Sequence, residues 1–243
     1  MRIHAFHHLY QDRLRQSTKP FLARGSKISR CEYCQVAEQY CLCAVKPDID
    51  SPLAALLIVS SNEVFKPSNT GRLIADTIKE TYVYQWHRTE PDLAMLALLQ
   101  DPTFMPILVF PAQSEADQSR QLDFPSQLED GRKPLLIFID GSWREAKRIF
   151  RQSTYLHPLP LLSIEPEKMS AYLMRKTDND QHLATAEVAS LVFNLCGDPQ
   201  AAEALELWFA VFKESYLLTK SQKSSVSMIQ RPALSTWLKY NAA

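Results

Sequence analysis

The chain has 243 residues, 46% hydrophobic and 22% charged, with 27 basic and 27 acidic side chains cancelling to zero net charge. That is the composition of an ordinary globular protein, long enough for one sizeable domain with an appendage or two small domains. No apolar run approaches the ~20 residues needed to cross a bilayer, and Met1-Arg-Ile-His-Ala-Phe-His-His8 has no signal-peptide core or cleavage site, so a cytoplasmic protein with no membrane partner is expected.

The zero is an average over segregated charge. Residues 1–30 carry seven Lys/Arg against Asp12 alone, and residues 73–131 carry ten acidic against three basic side chains. Residues 132–151 return to six basic against two acidic, and 213–243 hold five against one. Basic stretches around a neutral whole suit a nucleic-acid partner, while counterbalanced solvated surface explains them equally well.

Residues 1–50 form a basic arm, with the histidines His4, His7 and His8 expected in solvent. Four of the five cysteines, Cys31, Cys34, Cys41 and Cys43, fall within thirteen residues of this arm at C-x2-C-x6-C-x-C spacing. That supplies four sulfurs for one tetrahedral structural zinc in a local loop. Disulfides are the weaker reading, because such close pairs are strained and nothing else indicates an oxidising compartment. A four-thiolate site has no open position, so the metal is expected to hold the fold.

Past Lys46-Pro47, residues 51–243 read as an α/β domain. Leu53–Ser60 is a continuous apolar run of buried-strand length. A loop then leads to a helix over Asn69–Lys79, capped by Ser68 or Asn69. Thr81–Trp86 alternates as a strand, Asp92–Leu99 is a short helix, and Pro106–Phe110 is an apolar strand. Pro134–Asp140 is the clearest buried strand and runs straight into a helix over Trp143–Phe150 with a basic outer face. After residue 184 the chain reads as helical to about 220. Near-continuous apolar strands alternating with helices predict a mostly parallel sheet covered on both faces.

Ligands of such sheets bind beyond the carboxyl ends of the strands, where two segments carry suitable chemistry. Pro67-Ser-Asn-Thr-Gly71 presents backbone N–H groups at a helix start, although an ordinary cap is the plainer reading of that segment alone. Asp140-Gly-Ser-Trp143 puts a carboxylate at a strand tip and an aromatic ring just beyond it; a strand cap with a core tryptophan is the plain alternative. Arg144, Lys147, Arg148 and Arg151 follow at spacings that suit phosphates. A third segment, Ala184-Thr-Ala-Glu-Val188 with Tyr172–Lys176 upstream, opens a helix at which Thr185 can cap and Glu187 can meet an amine. Cys196 reads as a small core residue. With five glycines in the chain there is no dinucleotide fingerprint and no P-loop.

Taken together, the cysteine cluster, Lys66-Pro-Ser-Asn-Thr-Gly-Arg-Leu73, Ile139-Asp-Gly-Ser-Trp-Arg-Glu-Ala146 and Ala184–Val188 resemble the DTW-domain family over about residues 28–220. Ser142 stands where the family's Asp-x-Thr-Trp signature has threonine, keeping the hydroxyl. The resemblance implies a tRNA-uridine aminocarboxypropyltransferase with a SPOUT-like α/β fold and a trefoil knot in its C-terminal half. It implies S-adenosylmethionine as co-substrate and uridine N3 as nucleophile. Asp140 would be the base or the group holding the uracil edge, with Ser142 and Trp143 beside it. Asn69, Thr70, Gly71, Thr185 and Glu187 would face the cofactor, and Arg144, Lys147, Arg148 and Arg151 the RNA. The rivals are a methyltransferase on the same fold and a non-catalytic zinc-containing RNA-binding protein.

Overall fold

The computed structural model describes residues 1–18, 28–122, 131–164, 184–220 and 229–241. Tyr172–Lys176 lie outside the described residues.

Among the described residues five parallel strands form one sheet: β1 (Ala54–Val59), β2 (Thr81–Gln85), β3 (Phe104–Val109), β4 (Lys133–Asp140) and β5 (Leu161–Leu162), in the order β2-β1-β4-β3-β5. Every residue of β1 is buried, as its unbroken Ala-Ala-Leu-Leu-Ile-Val requires of a central strand covered on both sides. On one face, Ala55, Leu57, Val59, Leu136 and Phe138 pack against α2 (Arg72–Thr77), α6 (Thr185–Leu195), α7 (Pro199–Lys220) and α8 (Gln230–Asn241). On the other, Leu56, Ile58, Leu135 and Ile137 meet α3 (Leu93–Gln100) and α5 (Trp143–Gln152). The alternation follows from the two-residue period of a strand.

The predicted elements recur with shifted ends. The helix expected over Asn69–Lys79 is shorter, because Asn69 turns its side chain to accept from the Arg72 N–H at 2.9 Å and Ile78 is already extended. The helical run after 184 is broken at Gly197, whose φ of +87° suits glycine at a helix end, just before Pro199. Helix α1 (Ala5–Gln16), the single-turn α4 (Glu115–Gln118), the two-residue β5 and α8 were not expected.

The largest correction concerns the arm. His4 and His7 are buried, not solvated; His8 alone of the three is exposed. The two buried rings stack at 3.7 Å, and His4 Nε2 lies 2.8 Å from Asp76 on α2. Lys46 Nζ is 2.5 Å from the same carboxylate oxygen, and Trp208 Nε1 of α7 donates to the other at 3.1 Å. Burial lowers the pKa of both histidines, that of His7 to about 3, so they are neutral imidazoles. Asp76 anchors the arm to the core: Phe6, Cys34 and Leu42 share one apolar cluster with Leu73, Trp208 and Trp237.

Candidate active site and thiolate cluster

The order of strands fixes where a ligand can enter. From β1 the chain crosses to β2 on one side, and from β4 it crosses to β5 on the other. The crevice of this sheet therefore opens between the carboxyl ends of β1 and β4. At that point Val59 pairs with Asp140, and the Ser60 N–H donates to the Asp140 carbonyl at 2.9 Å.

Asp140 is 3% exposed. Asn69 Nδ2 donates to Oδ2 at 2.5 Å, and Thr185 Oγ1, from the first residue of α6, donates to Oδ1 at 2.8 Å. Gly71 presses its backbone against the same carboxylate: a Cβ there would lie 2.5 Å from Cγ and 2.6–2.7 Å from both oxygens, so no side chain fits. Burial raises the Asp140 pKa to about 6, opposed in part by the two hydrogen bonds.

Beyond Asp140 the chain turns at Gly141 into α5. Ser142 caps that helix, accepting weakly from the Glu145 N–H at 3.4 Å while its hydroxyl donates to Glu145 Oε2 at 2.6 Å. The Glu145 carboxylate also accepts from Ser60 at 2.9 Å, Asn62 at 2.6 Å and the Ser142 N–H at 3.0 Å. Burial alone would raise its pKa, yet these donors hold it at about 2. Glu145 thus ties the tip of β1 to the start of α5. It was not singled out from the sequence, although the Ser142-x-x-Glu145 capping-box spacing was its signal.

Trp143 is 42% exposed and stacks on Phe110 with ring centroids 5.5 Å apart, while Lys147 Nζ sits 4.8 Å from its centroid. Arg148 lies over Trp86 at 5.3 Å. Arg144, Lys147, Arg148 and Arg151 are all exposed, so the basic face of α5 looks outward beside the crevice. Thr70 is half-buried next to Gly71. Glu187 accepts from the Ala184 N–H at 2.9 Å, so it caps the start of α6, and Thr185 does not cap it. Asn69, Gly71 and Thr185 therefore meet at the Asp140 carboxylate, with Glu187 turned to the backbone of its own helix.

A family model for the DTW domain matches residues 28–217. The chain belongs to the DTW-domain family. That is the family of tRNA-uridine aminocarboxypropyltransferases, and membership points to a tRNA-modifying function. No solved structure matches the chain. The matched DTW span takes in the cysteine cluster as well as the Asp140 crevice.

In that cluster the four Sγ atoms lie within 4.8 Å of one another, with Cys31–Cys43 at 3.5 Å and Cys34–Cys41 at 3.9 Å. No pair is bonded as a disulfide. A tetrahedron with Zn–S bonds of about 2.3 Å has edges of about 3.8 Å, so the thiols are spaced to hold one zinc. The turn that gathers them has Gln35 at φ 59°, a left-handed conformation uncommon outside glycine, held by Cys31 N–H to Val36 and Gln35 N–H to Cys31, both 2.9 Å. Arg231 of α8 closes the loop from outside by donating to the Cys41 carbonyl. Among the described residues no helix is long and apolar enough to cross a membrane.

Proposed function

We propose that this protein transfers the 3-amino-3-carboxypropyl group of S-adenosylmethionine to N3 of a uridine in tRNA, within the cytoplasm. Family membership supports the reaction class. The observation that carries the site is the convergence of Asn69, Gly71 and Thr185 on Asp140 at the crevice between β1 and β4.

In the reaction, the N3–H bond of uridine breaks and an N3–C bond forms at the γ carbon of the donor. The C–S bond to the sulfonium breaks, and its electron pair stays on sulfur, leaving neutral 5′-methylthioadenosine. The N3 proton must go to a base. Asp140 accepts it: a buried carboxylate with a pKa of about 6 is ionised at neutral pH and basic enough to share a proton. Trp143 offers an exposed ring for stacking uracil. Ser142, through Glu145, keeps the start of α5 fixed against β1. Thr70 and Gly71 border the carboxylate where the donor would lie. The outward basic face of α5 would neutralise tRNA phosphates.

The metal-holding segment 1–50 would act with residues 51–243 as one unit, zinc stiffening the arm and taking no part in the reaction. The reading includes a SPOUT-like fold with a trefoil knot in its C-terminal half.

The test follows both products by chromatography. Wild-type protein with tRNA and S-adenosylmethionine should release methylthioadenosine and the modified uridine in equal amounts. Asp140→Ala should lower the rate by roughly 10²–10⁴ while remaining folded. Adenosylhomocysteine with a methylated base would instead make the protein a methyltransferase. No product of either kind would leave an RNA-binding role.

A further inference from the structure

Resting on the reading of Asp140 as base, we propose that Asn69 and Thr185 are positioning residues: they hold the Asp140 carboxylate ionised and oriented, and do not themselves grip the donor. Each carboxylate oxygen receives one neutral donor, from segments 71 and 45 residues away in sequence. The Asn69 amide has no rotational choice, since its Oδ1 already accepts from the Arg72 N–H and its NH2 group must face Asp140. Thr185 opens α6, yet its hydroxyl serves the carboxylate and not the helix end. A carboxylate has about four lone-pair directions. Two of them are filled by these donors.

The charges around Asp140 leave this role to the two neutral donors. From the loop between β1 and α2, Glu63 and Lys66 act on it with opposite sign, and they pair with each other at 2.5 Å. On α5, Glu145 is turned towards Ser60, Asn62 and Ser142. Gly71 contributes backbone and α6 contributes Thr185. Hydrogen bonds to an ionised carboxylate favour that form. Losing one therefore raises the pH at which the base becomes available.

The experiment titrates Asp140 by 13C carboxyl NMR in wild type, Thr185→Val and Thr185→Ser, alongside the pH profile of kcat/KM. The wild-type midpoint is expected near pH 6, rising by about one unit in Thr185→Val and returning in Thr185→Ser. The acid limb of kcat/KM should move with it, a loss of roughly fivefold at pH 6 that approaches about tenfold near pH 5 and fades in alkaline solution. An unmoved midpoint, or a loss of equal size at every pH, overturns the proposal. Asn69→Ala gives the same readout from the other oxygen should Thr185→Val not fold. If wild type makes no methylthioadenosine with tRNA, the activity assigned to the site fails, while the titration still decides whether these residues control Asp140.

Discussion

Asp76 and Asp140 are both buried carboxylates, 1% and 3% exposed; Asp76 lies on the short helix α2, and Asp140 touches the turn that opens it. Their partners differ in kind. Asp76 has the Lys46 ammonium at 2.5 Å, His4 at 2.8 Å and the Trp208 indole N–H at 3.1 Å. Burial would raise its pKa, but His4, Lys46 and Arg72 pull it well below the usual carboxylate range. Asp140 has two neutral donors and no cation in hydrogen-bond contact, and burial wins, lifting it to about 6. A buried carboxylate locked to a cation is a structural joint, since its proton affinity is too low for exchange near neutrality. One held by neutral dipoles keeps its charge and can still take up a proton.

The first way to sharpen this contrast is at the metal. Elemental analysis should find about one zinc per chain, as four thiolates imply. Stripping it with chelator, or making Cys31→Ala, should lower Tm by more than about 10 °C. Lys46 follows Cys43 by three residues, so the loss should reach the Asp76 joint and leave the Asp140 midpoint in place. A shifted Asp140 titration would show the two ends of α2 to be coupled.

Asp76→Asn leaves Lys46 buried without an anion, which should cost about 3–5 kcal/mol in denaturant unfolding. A cost below about 1 kcal/mol would break the contrast, because the pair would then be dispensable.

The pH dependence should carry opposite signs. A raised folded pKa means that native Asp140 binds more protons than the unfolded chain between about pH 4 and 6, so its effect on stability is unfavourable and grows as pH rises through that window. The stability of Asp140→Asn relative to wild type should therefore improve by about 2–3 kcal/mol from pH 4 to pH 7. The depressed Asp76 pKa acts the other way: its stabilisation is full above the ordinary carboxylate range and is lost as pH falls below it. A wild-type–Asp140→Asn gap that stays constant with pH would deny Asp140 its raised pKa.

The smallest effect belongs to the surface. Lys147→Ala should weaken tRNA binding a few-fold and flatten the salt slope by about one, with both carboxylate titrations unchanged. An unchanged slope would mean that the α5 cations do not meet phosphates.

Much of the scaffold was legible residue by residue. The unbroken apolar runs of β1 and β4 announced a parallel sheet because a strand covered on both faces has no polar side to show. The C-x2-C-x6-C-x-C spacing announced the thiolate cluster because its ligands are local. Asp140-Gly-Ser-Trp143 stood out because it follows the strongest strand. By contrast, β5 has two residues, and α1 carries a weak apolar stripe over a basic sequence. Neither offers enough periodicity to be recognised alone.

What the sequence by itself determined, then, are features whose cause lies within a few residues: strand burial, the cysteine turn, the Ser142–Glu145 cap. What the tertiary structure decided is which polar groups face each other. Asn69 and Thr185 serve Asp140 across 71 and 45 residues, and His4 finds its buried hydrogen-bond partner in Asp76, 72 residues away, while burial itself lowers its pKa. Histidine, asparagine and threonine are at home in solvent or in a core. Burial costs them little once a partner is placed, and only the folded chain places the partner.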